Sequence, residues 1–288
     1  MRVGVAGVPG AWSSERMCEA LRAEGMESFV FSLSDCVHDL NRGRVMLYDF
    51  DLSTLDGVVV KKLGEQPSRA ARLRLHMLRQ LQDRGVRIFS RPSAVDIAMD
   101  RYRMSMGLIS AGLPMPQTYA VESEATLSDA LEQLGQAVAK PVYTSKARGM
   151  ARIARGAGRS ALDSECVEGR ILLQQFVESS GRDIGACVLG GRFIGAFYRV
   201  AADGEWITST SAGGRYAPCT LTRPAIALAE DAADVFGLDY TVVDLVETGD
   251  GYSIYEVSAF GGFRGLWEAS RYDVASEYAR YIRWDLQP

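Results

Sequence analysis

The chain has 288 residues, 47% hydrophobic and 24% charged, so it is long enough to bury more than one core. A net charge of −4 argues against a nucleic-acid partner held by bulk electrostatics, leaving only a local basic groove. Five cysteines without a CxxC pair, two histidines (His38 and His76), no apolar run near the roughly 20 residues of a membrane span and no signal-peptide pattern lead to one expectation: a cytoplasmic chain with no zinc cluster and no membrane partner.

Residues 3–6 read as a first strand, and Gly7-Val8-Pro9-Gly10 as a tight turn into a helix near 13–24. "SFVFSLS" and "LDGVVVKK" read as the next two strands. The stripe Leu73, Met77, Leu78 and Leu81 predicts a helix over 68–83, followed by the strand "VRIFSRP". Strands alternating with helices make this a parallel α/β unit. One helical stretch is expected from about 93 to 111, then the proline-marked connection "GLPMPQTY". Further on come a helix near 126–134, the strands "AVAKPVY", "ARIAR" and "RILLQQFVES", and a hairpin turning at Gly190-Gly191. "EWITSTS" is expected as another strand, with helices near 223–236 and 271–283.

Gly4, Gly7 and Gly10 are spaced GxxGxxG rather than GxGxxG, so tight turn geometry competes with dinucleotide binding as their explanation. Lys61 and Lys62 end an apolar strand, where open α/β sheets take ligands; an anion clamp and a solvated strand end both account for them. Lys140 interrupts the apolar run "QAVAKPVY", and Ser145, Lys146, Arg148 and Gly149 form a short basic loop just after it. Arg199 is a third cation at the end of an apolar strand.

The stretch "DLVETGDGYSIYEVSAFGGFRG" poses the sharpest question. A turn at Gly249-Asp250-Gly251 makes paired positions sum to 500, which sets Leu245 against Tyr255 and Asp244 directly against Glu256. Opposed side chains sit about 5 Å apart, and neither acid has an evident basic partner in the sequence. Two such carboxylates among Val242, Val246 and Ile254 need a cation or a shared proton, and a divalent metal serves. Set beside the cations above, they read as a site for a magnesium-bound triphosphate.

In this order the motifs resemble the ATP-grasp superfamily, in particular the branch of RimK and other glutamate-adding ligases. "MDRYRMSMGLISAGLPMPQTY" is similar to the segment that opens its central domain, with Arg101 where the family usually has Lys. "VAKPV" then supplies a phosphate-binding Lys140. "LLQQFVESSGRDIG" looks like the adenine hinge, which implies Gln175 at the usual Glu position, Phe176 and Val177 at the base and Asp183 near the ribose. Arg199 resembles the phosphate-stabilising Arg. "WITSTSAGGRYAP" is similar to a segment that normally reads Arg-Thr-Asn, with Ser209 in place of the Asn. Asp244 and Glu256 fall on the metal ligands, and Ser258 replaces the Asn of Glu-x-Asn. More narrowly, "VKKLGE", "SKARGM" and "EVSAFGGFRGL" look like the ATP-grasp enzyme of the bacterial "GAK system".

The resemblance implies an ATP-grasp fold, α/β at the start and α+β toward the C-terminus. The expected units are an N-terminal domain over 1–95, a central subdomain over 96–176 and a C-terminal one over 177–288. It implies ATP and Mg2+, with Mn2+ as a substitute. It also implies an ATP-dependent carboxylate–amine ligase acting on small acids and amines or on a peptide tail, with Lys62, Arg215 and Arg264 as holders of the acid. Homo-oligomerisation stays open. Two rival readings are an ATP-grasp module that binds nucleotide without turnover, suggested by Ser209 and Ser258, and a dehydrogenase built on the N-terminal glycines.

Overall fold

The computed structural model describes residues 1–64, 69–143, 147–162 and 170–287. The N-terminal strand β1 (Arg2–Ala6) runs through a turn into α1 (Trp12–Ala23), and β2 (Glu27–Phe31) returns beside it. Three short strands, β3 (Cys36–Asp39), β4 (Arg44–Leu47) and β5 (Phe50–Asp51), form an antiparallel flap that the sequence pattern does not announce. Then follow β6 (Gly57–Val60), α2 (Arg69–Asp83) and β7 (Arg87–Phe89). The parallel sheet has order β2-β1-β6-β7, and four of the five β1 residues are buried. That burial is why β1 and β6 read as continuous apolar runs. A Cβ on Gly7 would lie 2.4 Å from the Ser14 hydroxyl, so close packing of turn against helix accounts for that glycine without a nucleotide.

The expected single helix over 93–111 is two, α3 (Pro92–Ala98) and α4 (Arg101–Ser110). Asp100 breaks it, because its carboxylate caps α4 by accepting from the backbone N–H groups of Tyr102 and Arg103. The central sheet takes β8 (Thr118–Val121), α5 (Glu124–Leu134), β9 (Gln136–Pro141), β10 (Ala151–Ala154) and β11 (Ile171–Gln175), in the order β10-β9-β11-β8. Its core of Leu127, Leu131, Ala137, Ala139, Ile171 and Leu173 is a cluster of its own.

The third sheet comprises β12 (Arg182–Leu189), β13 (Arg192–Val200), β14 (Arg215–Cys219), α6 (Arg223–Phe236) crossing over it, β15 (Tyr240–Thr248) and β16 (Gly251–Val257), ordered β14-β13-β12-β15-β16. "EWITSTS" is not a strand: residues 205–209 are irregular and lead into a 3-10 turn at Thr210–Ala212, the pairing partner of β13 being β14 instead. The chain ends in α7 (Arg264–Ser270) and α8 (Val274–Asp285), not one helix over 271–283, because Arg271 adopts a left-handed conformation and Asp273 caps the second helix. The N-terminal and third sheets share apolar clusters, with Val58 and Leu78 joined to Ala229, Val243 and Ile254. Among the described residues no helix is long and apolar enough to cross a membrane.

Candidate active site

The hairpin β15–β16 sets Asp244 against Glu256 as the sequence pairing requires, but by a different route. Thr248 pairs with Gly251, so the loop is shorter by one residue, and an irregularity leaves Tyr255 unpaired while Leu245 faces Ile254. One residue fewer in the turn and one bulged residue in the strand cancel at the acid pair. A bulge beside a site re-aims side chains, and here it turns the Tyr255 ring toward Lys140, whose Nζ lies 5.2 Å from the ring centroid.

Both acids do have basic partners, contrary to the sequence expectation, and both partners come from distant segments. Arg199 on β13 donates to the two oxygens of Asp183 at 2.8 and 2.9 Å, and its Nη2 also lies 2.8 Å from Asp244 Oδ2. Arg101, 5% exposed at the start of α4, reaches Glu256 at 3.4 Å and donates to the Pro141 carbonyl at 2.7 Å. Thr208 adds a hydrogen bond to Asp183 at 3.0 Å. Across four adjacent strands one cation thus stands beside three acids: Asp183 lies opposite Arg199, and Asp244 opposite Glu256.

Burial pushes the Asp244 carboxyl up to about 7, against the pull of Arg199 and with the help of Asp183 and Glu256. Its Oδ1 is buried and has no hydrogen-bond partner. Such an orphaned acceptor calls for an occupant. Facing Glu256 across the ladder, it fits a hard divalent cation, and two carboxylates leave the rest of the shell to ligand oxygens and water. Among the described residues no third acid, histidine or cysteine completes a metal cluster.

Lys140 enters from the central sheet. It is 9% exposed, and its Nζ donates to Gln174 Oε1 at 2.5 Å; Gln174 in turn donates to the Thr118 hydroxyl. Burial lowers the ammonium to about 8, with Arg101 adding to the fall and Glu256, Asp244 and Asp183 opposing it. Among the described residues no carboxylate is bonded to this cation, although three face it, an arrangement that an anion carrying its own metal would fit.

The other expected residues scatter. Phe176 has Arg152 over its ring at 3.8 Å and Trp206 at its edge, and its backbone N–H donates to Gln136, so the hinge strand is fixed through its main chain. Gln175 is exposed, Val177 is half-buried, and Asp183 lies in the charge cluster, bonded on both oxygens. Ser209 caps the 3-10 turn and bonds to Ser211. Ser258 follows β16, its backbone N–H bonded to Val242. Arg215 is exposed on β14, across from Val200. Arg264 lies over the Trp12 ring and pairs with Glu268 at 3.6 Å. Lys62 is half-buried at the end of β6, its backbone N–H bonded to Ala6. Ser145 and Lys146 fall outside the described residues, while Arg148 and Gly149 sit in a turn just after them. Gln174, Thr208 and Tyr255 are site neighbours that no sequence motif singled out.

Residues 98–282 match the RimK-like ATP-grasp domain family, well over half of the chain. The chain belongs to the RimK-like ATP-grasp family. It is an ATP-grasp ligase, and the dehydrogenase reading of the N-terminal glycines falls with that assignment. The chain is 29% identical over 316 residues to a protein of Methanosarcina acetivorans named tetrahydromethanopterin:alpha-L-glutamate ligase, with 96% of each chain covered. In fold it is similar to a RimK domain ATP-grasp protein of Sphaerobacter thermophilus, with a TM-score of 0.75, 21% identity and coverage of 98% of this chain and 100% of the other. The ATP-grasp ligase PsnB, solved with a precursor variant, Mg and ADP, has a TM-score of 0.77 at 18% identity, covering 99% and 98%.

Proposed function

We propose that this ATP-grasp ligase activates a carboxylate by phosphorylation and joins it to an amine, with an acidic amino acid such as glutamate as the amine. The observation that carries the reading is the shared guanidinium. Arg199 bridges Asp183 and Asp244 while Asp244 Oδ1 stays unpartnered opposite Glu256 and Lys140 faces the same acids. A carboxylate is a poor electrophile because oxide is a poor leaving group. An oxygen of the acid forms a bond to the γ-phosphorus of ATP, the bond from that phosphorus to the bridging oxygen breaks, and ADP leaves. The amine nitrogen then bonds to the acyl carbon, the carbon–oxygen bond to phosphate breaks, and the nitrogen gives up a proton.

Lys140 and Arg199 offset charge on the transferring phosphoryl group, in a pocket where desolvation strengthens each contact. Asp244 and Glu256 hold magnesium, with Mn2+ as its substitute and Ser258 as a third oxygen donor; the ion neutralises phosphate charge when bound. The backbone of 175–177 takes the base, and Arg148, Gly149 and Ser209 serve the phosphate end. Lys62, Arg215 and Arg264 hold the acid, Arg264 from its place over Trp12 beside Glu268. The units 1–95, 96–176 and 177–288 are part of this proposal, supported by a separate sheet in each. The relatives' names support glutamate: beside the Methanosarcina protein, one from Thioalkalivibrio sulfidiphilus, 28% identical, is named a probable alpha-L-glutamate ligase. The narrower likeness to the GAK-system enzyme rests on sequence motifs alone.

Incubation with Mg-ATP, L-glutamate and pools of carboxylic acids, read by ADP release and product mass, tests the reading. ADP release that needs both an acid and an amine supports it. Nucleotide binding without ADP release from any pool would sink it.

A further inference from the structure

Lys61 directly follows β6 with its ammonium pointing away from solvent, and the residue is only 5% exposed. Its Nζ donates to the Gly261 carbonyl at 2.7 Å and lies 3.5 Å from the Phe263 ring centroid, with Tyr240 at 5.5 Å. No acid pairs with it among the described residues, and the neighbouring thiol of Cys187 is pushed up to about 12 by burial and stays neutral. Tyr240 supplies a second anchor next door, its hydroxyl donating to the Gly262 carbonyl at 3.0 Å. A Cβ on Gly261 would meet the Tyr240 ring at 2.5 Å, so the turn lies flat against that ring. Two successive carbonyls are thus pulled into the core, five and six residues beyond Glu256, and one of the two donors comes from the N-terminal sheet.

We infer that Lys61 is a positioning residue for ligation. It ties the turn at Gly261-Gly262, which follows the acid-bearing strand, to the carboxyl end of β6 in the N-terminal sheet. Burying an ammonium without a carboxylate is costly, and an apolar side chain of equal length would fill the space without that cost. A sequence that keeps the charge there spends stability on holding one loop, as functional sites do. The gain is a preset geometry: Lys62, next to Lys61, and the 258–263 segment are fixed relative to each other before the acid binds. The effect on rate rests on the ligase reading; the effect on the loop does not.

Lys61→Met keeps the length and removes the donor, while Lys61→Gln keeps a shorter one. Hydrogen exchange of the 259–263 amides should rise at least about tenfold in Lys61→Met, and less in Lys61→Gln, with exchange over 171–189 unchanged. Mg-ADP affinity by calorimetry should stay within about twofold and Tm should not fall, since a desolvation cost has been removed. With an acid–glutamate pair that the wild type ligates, kcat should drop while KM for ATP holds. Unchanged exchange at 259–263 in Lys61→Met overturns the inference. So does a lowered Tm with exchange raised throughout the molecule, which marks an ordinary core residue. If Lys61→Met does not fold, Lys61→Gln read on the same amides decides by the same criterion. A loosened loop in a protein that ligates no acid upholds the tether and fails the ligase reading; full ligation with an unchanged loop does the reverse.

Discussion

Lys140 and Lys61 each stand at or just beyond the end of an apolar strand, and both ammonium groups are buried, yet the surroundings of one are charged and those of the other neutral. Lys140 faces Asp183, Asp244 and Glu256 and, among the described residues, bonds to a neutral amide. Lys61 faces aromatic rings and a backbone carbonyl, with no acid paired to it among the described residues. Burial lowers both, Lys140 to about 8 and Lys61 to about 7. The difference teaches what each is for. A cation facing three acids that two arginines share suits a ligand that brings its own negative charge and a metal, whereas a cation capped by rings and a carbonyl has already found its partner.

The strongest way to break this contrast is to remove an acid from around Lys140. Glu256→Gln should cut turnover by about a thousandfold or more, because the developing phosphate charge loses its metal-holding partner. Stability responds to two opposed changes. Repulsion from Asp244 is relieved, but Arg101, only 5% exposed, loses its ion pair with Glu256, and the second effect should lower Tm. Normal turnover in this variant would remove the metal reading of the acid pair.

Next in size is the lysine itself. Lys140→Met should weaken Mg-ATP binding by about tenfold to a hundredfold, the scale of a lost charge-assisted contact, while Lys61→Met leaves it within about twofold. Equal losses in both variants, measured by calorimetry, would erase the distinction between the two environments.

A pH titration of stability sharpens it further. An ammonium lowered to about 7 in the fold and near 10.5 when unfolded binds fewer protons in the native state across that window. Stability therefore rises with pH from about 7 toward 10.5, and the penalty is full below 7. Any stability that Lys61→Met gains over the wild type should be constant below pH 7 and shrink above it, by up to about 1.4 kcal/mol per pH unit. For Lys140→Met in the absence of nucleotide the same decline should begin near pH 8. A difference that does not vary with pH between 6 and 9.5 would show that Lys61 is not buried as an ammonium.

Much of this was legible beforehand because it is local. The α/β alternation, the helix at 223–236, the Gly190-Gly191 turn and the Asp244–Glu256 pairing all follow from periodicity and turn residues within a few positions. What was not legible is long-range. Arg101 and Glu256 are 155 positions apart, and Lys61 meets Gly261 across 200. Nothing in "VVVKKLG" says which of two adjacent lysines turns inward, since that depends on where Tyr240 and Phe263 arrive. The flap β3–β5 was missed because strands of two to four residues carry too little alternation to stand out. The single helix over 93–111 failed at Asp100, a residue that reads as an interior polar position until its capping bonds are seen.

The smallest effect concerns Ser258, where the family carries an Asn. It follows Glu256 by two residues, and its backbone N–H and carbonyl are both tied to the neighbouring strand, to Val242 and to the Thr241 hydroxyl. The main chain is therefore set whatever side chain sits there, which makes substitutions at 258 a clean probe of the side chain alone. A hydroxyl can supply a metal with an oxygen directly or through water, more weakly than an amide carbonyl or a carboxylate. Ser258→Ala should raise the magnesium needed for half-maximal ADP release by about twofold to fivefold, a loss of about 1 kcal/mol, with Tm unchanged. Ser258→Asn should lower that requirement or leave it as it is. The contrast with Lys61 is direct: there the side chain holds the backbone, here the backbone holds the side chain. A magnesium titration of ADP release that does not move in Ser258→Ala would leave the metal to Asp244 and Glu256 alone.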